Sequence, residues 1–288
     1  MKKHLMAGLA AALLALPASA MADPTPAAYY PFDDCSTATS ASNAVSGSSG
    51  NPALTFHNGA TMYQTTGAGG GSCLSGSPQN GALQVNPGMI TYDDFAQANG
   101  SDDAAFRGVS ELTLAADVAV NNADNFWQTV ALQDRCGTIH SNTASCIGYA
   151  LFAQNDANGG KVPRGYVRYT CPDTQTQLVE VSGDSQLGTD YHSLALTAGS
   201  GVGATVRLYV DGEFVESAAP TLSCADDEVA SLDSGTSGGR FTVGGELITG
   251  TIDGLGYMNP NEVLHGLVDN LRFYNEELDA FEVANIAL

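Results

Sequence analysis

From residue 23 to about residue 275 the apolar residues fall into runs too short for helices, and clusters of Gly, Asn, Asp and Ser separate them. Leu112-Thr113-Leu114, Trp127 to Leu132, Gly148 to Phe152, Gly165 to Tyr169 and Gln177 to Val181 alternate or carry β-branched residues, as half-buried strands do. The breaks include Gly67 to Ser72, Asn155 to Gly160 and Ser231 to Gly239, which the pattern predicts to be loops. Thr205 to Val215 is the clearest local signal. Val206, Leu208 and Val210 alternate with Thr205, Arg207 and Tyr209, and Asp211-Gly212 then leads into Glu213-Phe214-Val215. A two-residue hairpin needs positive φ at its turn, which Gly accepts freely and Asp tolerates. With no long amphipathic helix before residue 275, the pattern predicts an all-β sandwich or barrel. The Ser/Gly-rich stretch 36–50 is expected to be a loop, and no linker or repeat divides the chain after residue 22.

The first 22 residues read as an address. Lys2, Lys3 and His4 precede an apolar run from Leu5 to Leu16 that is too short to span a bilayer. Pro17 ends the run, and Ala18-Ser19-Ala20 and Ala20-Met21-Ala22 both fit a signal-peptidase site. Cleavage is expected after Ala22, with Ala20 as the alternative, leaving residues 23–288 as one exported domain, secreted or periplasmic. The 288-residue chain carries 31 Asp and Glu against 10 Lys and Arg, a net charge of −21. Losing Lys2 and Lys3 takes this to −23 and leaves Lys161 as the one lysine. Such a surface repels phosphate backbones and anionic lipid, so neither nucleic acid nor membrane insertion after cleavage is expected. It suits a salty or acidic medium, and it also offers carboxylates to divalent cations.

Six cysteines, Cys35, Cys73, Cys136, Cys146, Cys171 and Cys224, all follow residue 22. An even number in an exported chain points to disulfides, and no C-x-x-C or Cys/His spacing fits zinc. Pairing of neighbours is the expectation: Cys35 with Cys73, Cys136 with Cys146, and Cys171 with Cys224.

Several segments, in order, resemble the strands of laminin G-like domains, which have the concanavalin A-like jelly-roll fold. Tyr29-Tyr30-Pro31-Phe32-Asp33-Asp34 resembles their opening strand, and Gly81-Ala82-Leu83-Gln84-Val85 a "G-x-A-L-x-F" strand. Tyr191-His192-Ser193-Leu194-Ala195-Leu196 is similar to "W-H-H-V-A-L", Leu208 to Gly212 to "L-Y-V-D-G", and Phe241 to Gly245 to "F-x-I-G-G". His265 to Asn275 resembles the closing "F-x-G-x-I-D-x-V-R-I-Y-N". The resemblance implies a sandwich of two antiparallel sheets, first and last strands adjacent, ending in a short helical turn. It also implies a non-catalytic module for adhesion, glycan binding or protein binding, often with calcium. Fold alone does not fix function.

Two short motifs point instead toward an enzyme. Glu277-Leu278-Asp279-Ala280-Phe281-Glu282 fits the E-x-D-x-x-E of laminarinase-type glucanases, where the carboxylates lie on a strand and face one cleft. A retaining glycosidase needs its two carboxyl groups about 5–5.5 Å apart. Asp279 and Glu282 also form D-x-x-E, a helix capping box, with too little chain after it to wall a cleft. The capping reading is preferred, with a polysaccharide hydrolase or lyase as its rival. Gly235-Thr236-Ser237-Gly238-Gly239 fits G-x-S-x-G but lacks the strand-then-helix context of a nucleophile elbow. His192 is expected to be a half-buried strand residue rather than a general base.

Calcium takes several oxygens from carboxylates and loop carbonyls. Asp33 and Asp34 end the opening strand and Asp269 lies in the closing one, so pairing of those strands brings the three together as a structural metal site. Turn-capping is the rival role for such strand-end aspartates. No EF-hand pattern is present, and Gln133-Asp134 is only a fragment of the pentraxin ligand pattern. Tyr92, Asp93, Phe95 and Tyr257 are the expected contacts for a glycan or an extracellular protein, with aromatic rings stacking on sugar C–H faces. A structural role in a cell-surface appendage or matrix is the third reading.

Overall fold

The computed structural model describes residues 24–33, 40–45, 53–57, 60–64, 81–85, 95–98, 105–120, 128–135, 147–156, 159–224, 230–235, 240–245, 247–252, 255–258 and 264–287. In chain order the strands are β1 (Ala28–Tyr30), β2 (Ser40–Ala41), β3 (Leu54–His57), β4 (Thr61–Gln64), β5 (Gly81–Val85) and β6 (Phe95–Ala98). Next come β7 (Leu112–Val120), β8 (Gln128–Asp134), β9 (Ile147–Asn155), β10 (Lys161–Thr170), β11 (Thr176–Ser182), β12 (His192–Ala198) and β13 (Val206–Val210). The remainder are β14 (Glu213–Ala218), β15 (Ser231–Leu232), β16 (Phe241–Val243), β17 (Leu247–Ile252), β18 (Leu255–Met258) and β19 (Gly266–Tyr274), followed by helix α1 (Ala280–Ile286).

These strands form the expected all-β jelly-roll sandwich of antiparallel sheets. The first sheet runs β14-β13-β12-β7-β19-β5-β4, and the second runs β11-β10-β9-β8-β16-β6-β3-β2 with β15 beside β10; β17 and β18 pair separately. First and last strands are neighbours, as expected: Tyr29 faces Arg272 and Ala28 faces Phe273. One edge of β19 is shared, its first half with β5 and its second with β1, while β7 runs along the other.

Alternation sets the layers. Leu112, Leu114, Ala116, Val118 and Val120 of β7 join the inter-sheet core, while Ala115 belongs to a second cluster with Ala195 and Tyr209. At the centre Phe106 stacks on Phe241 with ring centroids 4.0 Å apart and meets Phe273 at 5.1 Å, tying β16 to β19. The Tyr149 hydroxyl, buried in the same core, donates to the Phe106 carbonyl at 2.9 Å. Such a polar group needs that partner, because an unmade buried hydrogen bond costs about 1–3 kcal/mol. Gly165 is required by close packing: a Cβ there would run into Leu196 of the facing sheet.

The Asp211-Gly212 turn forms as its sequence predicts, with φ of 52° and 78° joining β13 to β14. Two expected loops are corrected. Ser40–Ala41, inside the stretch read as a loop, pairs with Thr55 and Leu54. Ser231–Leu232, at the start of another, pairs with Thr170 and Tyr169. Both pieces are too short to show alternation, and each becomes a strand because a neighbour presents unpaired backbone groups.

Cys171 and Cys224 form the expected disulfide across 53 residues, holding the end of β10 to the chain beyond β14. Cys35, Cys73, Cys136 and Cys146 lie outside the described residues, as does the segment 1–22. Among the described residues no helix is long and apolar enough to cross a membrane. Closing a loop of that length restricts the unfolded chain, worth about 4 kcal/mol in the chain-entropy model. The double replacement Cys171→Ser/Cys224→Ser is expected to lower unfolding free energy by about 2–4 kcal/mol in urea titration, without changing the far-UV spectrum.

Candidate functional site

The outward face of the first sheet is divided between an apolar half and an acidic half. On the apolar half α1, with Leu278 just before it, lies over Ala115, Ala195, Tyr209 and Tyr274, covering them with Leu278, Val283 and Ile286. The two alanines let the helix approach closely, and burying Val283 contributes about 1.5–3 kcal/mol. Thr113, fully buried, fixes the entry to the helix by donating to the Glu276 carbonyl and accepting from the Leu278 amide, both at 2.9 Å.

This helix decides the E-x-D-x-x-E motif. The Asp279 carboxylate accepts from the Phe281 and Glu282 amides at 2.8 and 2.9 Å, and Glu282 accepts from the Asp279 amide at 2.8 Å. That is the expected capping box. Glu277 pairs with Arg207. The three carboxylates therefore fasten the entry to a helix, and they do not lie on the strand that would aim them into one cleft. In the G-x-S-x-G segment, Thr236, Ser237, Gly238 and Gly239 lie outside the described residues.

On the acidic half, Asp269 faces Asp117 directly across β19 and β7. A bulge follows Asp269, and Asn270 adopts a left-handed φ of 47°. Its side-chain amide donates to Asp117 at 3.0 Å, and its carbonyl oxygen accepts from the Tyr29 hydroxyl at 2.7 Å. Arg272 sits over the Tyr29 ring, 5.1 Å from its centroid. Burial above all, with the negative charges of Asp117 and Asp33 adding to it, pushes the Asp269 carboxyl up to about 7 against the opposing pull of the Asn270 amide and Arg272. Burial also raises Asp117, against hydrogen bonds from Ser193 and Asn270. The structure thus brings Asp33 and Asp269 into one electrostatic neighbourhood, as pairing of the first and last strands requires. Asp34 lies outside the described residues. Sequence reasoning missed Asp117, whose position in an apolar run, Leu114-Ala115-Ala116-Asp117-Val118, is the signal that could have found it. Among the described residues no group of three or more His, Cys, Asp or Glu side chains is arranged to hold a metal ion, so any cation there must also use carbonyl or amide oxygens.

At the outer rim of the same sheet lies an open groove of about 490 Å³ between the loop 184–187 and the β13–β14 hairpin. Asp184, Gln186, His192, Asp211, Glu213 and Phe214 line it. The Leu187 amide donates to the Lys161 carbonyl at 2.6 Å, and the Gln186 side-chain amide donates to Asp156 at 3.3 Å, so the loop wall is held to β10 and the β9–β10 turn. The Asp211 carboxylate accepts from the Ser193 amide and from His192 Nδ1, both at 2.9 Å. A carboxylate only accepts, so the His192 Nδ1 carries the proton in this pair. Phe214 is 55% exposed and meets Tyr209 edge-on at 5.9 Å, which supports the ring without covering it. His192 is half-buried on its strand as expected, and it also lines the groove.

Of the expected ligand contacts, Tyr92 and Asp93 lie outside the described residues. Phe95 falls in β6 of the second sheet and Tyr257 in β18 of the separate two-stranded one, and the side chains of both are outside the description. Neither strand contributes to the groove. Sequence reasoning had recognised the Asp211-Gly212 turn but not the groove beside it.

No family model and no curated protein sequence matches the chain. Among solved structures it is similar to domain 4 of AbnA, a GH43 extracellular arabinanase from Geobacillus stearothermophilus, in complex with arabinotriose. That match has 12% identity, 91% of this chain, 98% of that one and a TM-score of 0.51. It is also similar to the CBM40 of a Ruminococcus gnavus IT-sialidase bound to α2,3-sialyllactose, at 14% identity, 66% and 88% coverage and a TM-score of 0.45. A heptameric SAP-like pentraxin from Limulus polyphemus matches at 12% identity, 64% and 72% coverage and a TM-score of 0.42. At such identities the likeness is one of fold, and it is the arabinanase domain that carries it: the chain has the concanavalin A-like jelly-roll fold.

Two outcomes follow from these placements. A carboxyl raised in the folded state opposes folding when ionised, fully above about pH 7, and this opposition fades as pH falls toward the unfolded value of roughly 3.9. In EDTA the melting temperature is therefore expected to rise from about pH 8 to pH 5, and Asp269→Asn to remove much of that slope. Asp279→Ala is expected to cost about 0.5–2 kcal/mol in chemical denaturation, the loss of a helix cap.

Proposed function

We propose that the chain is an exported, non-catalytic binding module of the laminin G-like type, and that its ligand is a glycan held in the rim groove. The observation that carries this reading is the groove's composition. Carboxylates and the Gln186 amide line one open channel, and Phe214, whose exposed ring packs edge-on against Tyr209, stands at its margin. Aromatic rings cover the C–H faces of sugars, and carboxylates and amides take their hydroxyls. The arabinotriose bound to the arabinanase domain on this fold supports a sugar as ligand, and the Cys171–Cys224 disulfide supports export to an oxidising compartment.

In this reading Asp269 and its cross-strand neighbour Asp117 give carboxylate oxygens to a structural calcium, with Asp33 nearby and carbonyl and amide oxygens completing the set. The fit rests on excess negative charge: the raised Asp269 carboxyl stands among two other carboxylates, with Arg272 as the nearby cation. A cation supplies no chemistry there beyond neutralising these groups and bracing β19 against β1 and β7. Tyr92, Asp93, Phe95 and Tyr257 belong to a further contact region of the same module.

The test is affinity electrophoresis of the oxidised protein through gels containing a polysaccharide panel, with calcium and then with EDTA. Retardation without shortening of the polymer is expected, and Phe214→Ala is expected to abolish it at an unchanged melting temperature. Calcium is expected to raise the melting temperature of the wild type at pH 8 and to leave that of Asp269→Asn unmoved. Cleavage of the polymer would replace the binding module with a hydrolase or lyase. Absence of retardation in every gel would move the ligand to an extracellular protein.

A further inference from the structure

Positive charge is scarce in this chain: after residue 22 it has Lys161 and seven arginines. Arg164 and Arg207 each pair with a carboxylate of their own, Glu180 and Glu277. Arg135 and Arg168 share one among the described residues. Arg135 Nη1 lies 3.1 Å from the Asp233 carboxylate, and the charge of that carboxylate also acts on Arg168.

The strands dictate this meeting. β15 lies beside the end of β10 with Leu232 opposite Tyr169, and the Asp233 amide donates to the Arg168 carbonyl at 2.8 Å. Tyr169 and Leu232 belong to the inter-sheet core, so alternation turns Arg168 and Asp233 outward together. Arg135, just after β8, reaches them from the side. Two glycines allow the approach: a Cβ on Gly235 would lie 2.8 Å from the Arg135 Cα, and one on Gly148 would lie 3.1 Å from the Ser234 Cα. Arg168 Nε donates to the Ile147 carbonyl at 2.8 Å, which fixes the plane of its guanidinium. Arg168 is 6% exposed and the Arg135 side chain 28%, so Arg168 forms the floor of the site and Arg135 its open rim.

Two guanidinium groups against one carboxylate leave a positive charge uncompensated. Asp134 and Arg240 stand next to them as backbone neighbours, the Asp134 amide donating to the Arg240 carbonyl at 2.9 Å, and those two charges offset each other. Burial, and after it the Arg135 charge, lower the Arg168 pKa against the pull of Asp233. A second oxyanion would relieve that charge and take parallel N–H bonds from an arginine fork, a geometry that fits carboxylate and sulfate. The chain's net charge of −21 repels polyanions at longer range, which restricts the visitor to one such group.

Resting on the glycan reading above, we infer that Arg135 and Arg168 bind a single carboxylate or sulfate borne by an otherwise neutral glycan. The rim groove lies at the other end of β10, beside Lys161, so this is a second and separate contact.

The test is titration calorimetry at about pH 7, where carboxylates are ionised. The probes are a glucose tetramer with one terminal uronate, the methyl ester of that uronate, and inorganic sulfate. The uronate tetramer is expected to bind about tenfold more tightly than its ester, the scale of one bidentate charged contact. Arg135→Gln is expected to erase that difference and leave binding of the ester unchanged. Asp233→Asn keeps an oxygen for the Gly235 amide but removes the competing charge, so it is expected to tighten binding of the uronate tetramer about threefold. Equal binding of tetramer and ester would overturn the oxyanion site and leave the glycan reading standing. Weaker binding of the uronate tetramer by Asp233→Asn would also overturn it, assigning all three side chains to holding the 233–235 turn. If neither sugar binds but sulfate raises the melting temperature of the wild type and not of Arg135→Gln, the oxyanion site stands and its glycan is lost. No binding of any probe would sink the glycan reading and this inference together.

Discussion

The pairing of β19 with β7, β5 and β1 is the interaction on which the rest of the structure depends. Residues 266–274 occupy the middle of the first sheet, yet they are among the last of the chain. Until they arrive, β7 lacks a neighbour along one edge, and β5 with β4 has no partner on which to continue the sheet. Phe273 also supplies one wall of the aromatic stack that ties the two sheets together. Such a fold closes through contacts of high sequence separation, so it forms slowly and as a unit. The Cys171–Cys224 disulfide shortens part of that search from the other rim.

The same strand organises the outward face. Upstream on β19, Asp269 sits opposite Asp117 in a half-buried acidic patch; downstream, Tyr274 goes under α1. The bulge between Asp269 and Arg272 divides these roles, and the left-handed Asn270 within it holds Asp117 and Tyr29 through its side chain. Burying a carboxylate beside two others opposes folding, and the apolar cover of the helix over the adjacent half works the other way. The Asn270 amide on Asp117 and the nearby Arg272 offset part of that cost.

Short motifs acquire meaning only from the element that carries them. Glu277, Asp279 and Glu282 at glucanase spacing would share a cleft on a strand; at the start of α1, Asp279 and Glu282 cap the helix and Glu277 pairs with Arg207. The opposite happened at Asp211-Gly212. Its residues announce a turn and nothing more, and the turn then places Asp211 against His192 and Phe214 beside a groove. In both cases the local chemistry was legible and its use was not.

Alternation, turn residues and the capping box determined much of this protein by themselves. They act over two to four residues, so parts of β7 to β11, the β13–β14 hairpin at Asp211-Gly212 and the box at Asp279 could be read in order, while β12 came from the resemblance. The adjacency of first and last strands came from the ordered resemblance of segments. What the sequence could not determine was anything needing a partner from far along the chain. β2 and β15 are strands only because β3 and β10 offer them free backbone. Asp117 became part of an acidic patch through a register set more than 150 residues later. The groove likewise exists because the loop 184–187, which follows β11, and the β13–β14 hairpin are held beside one another by the sandwich.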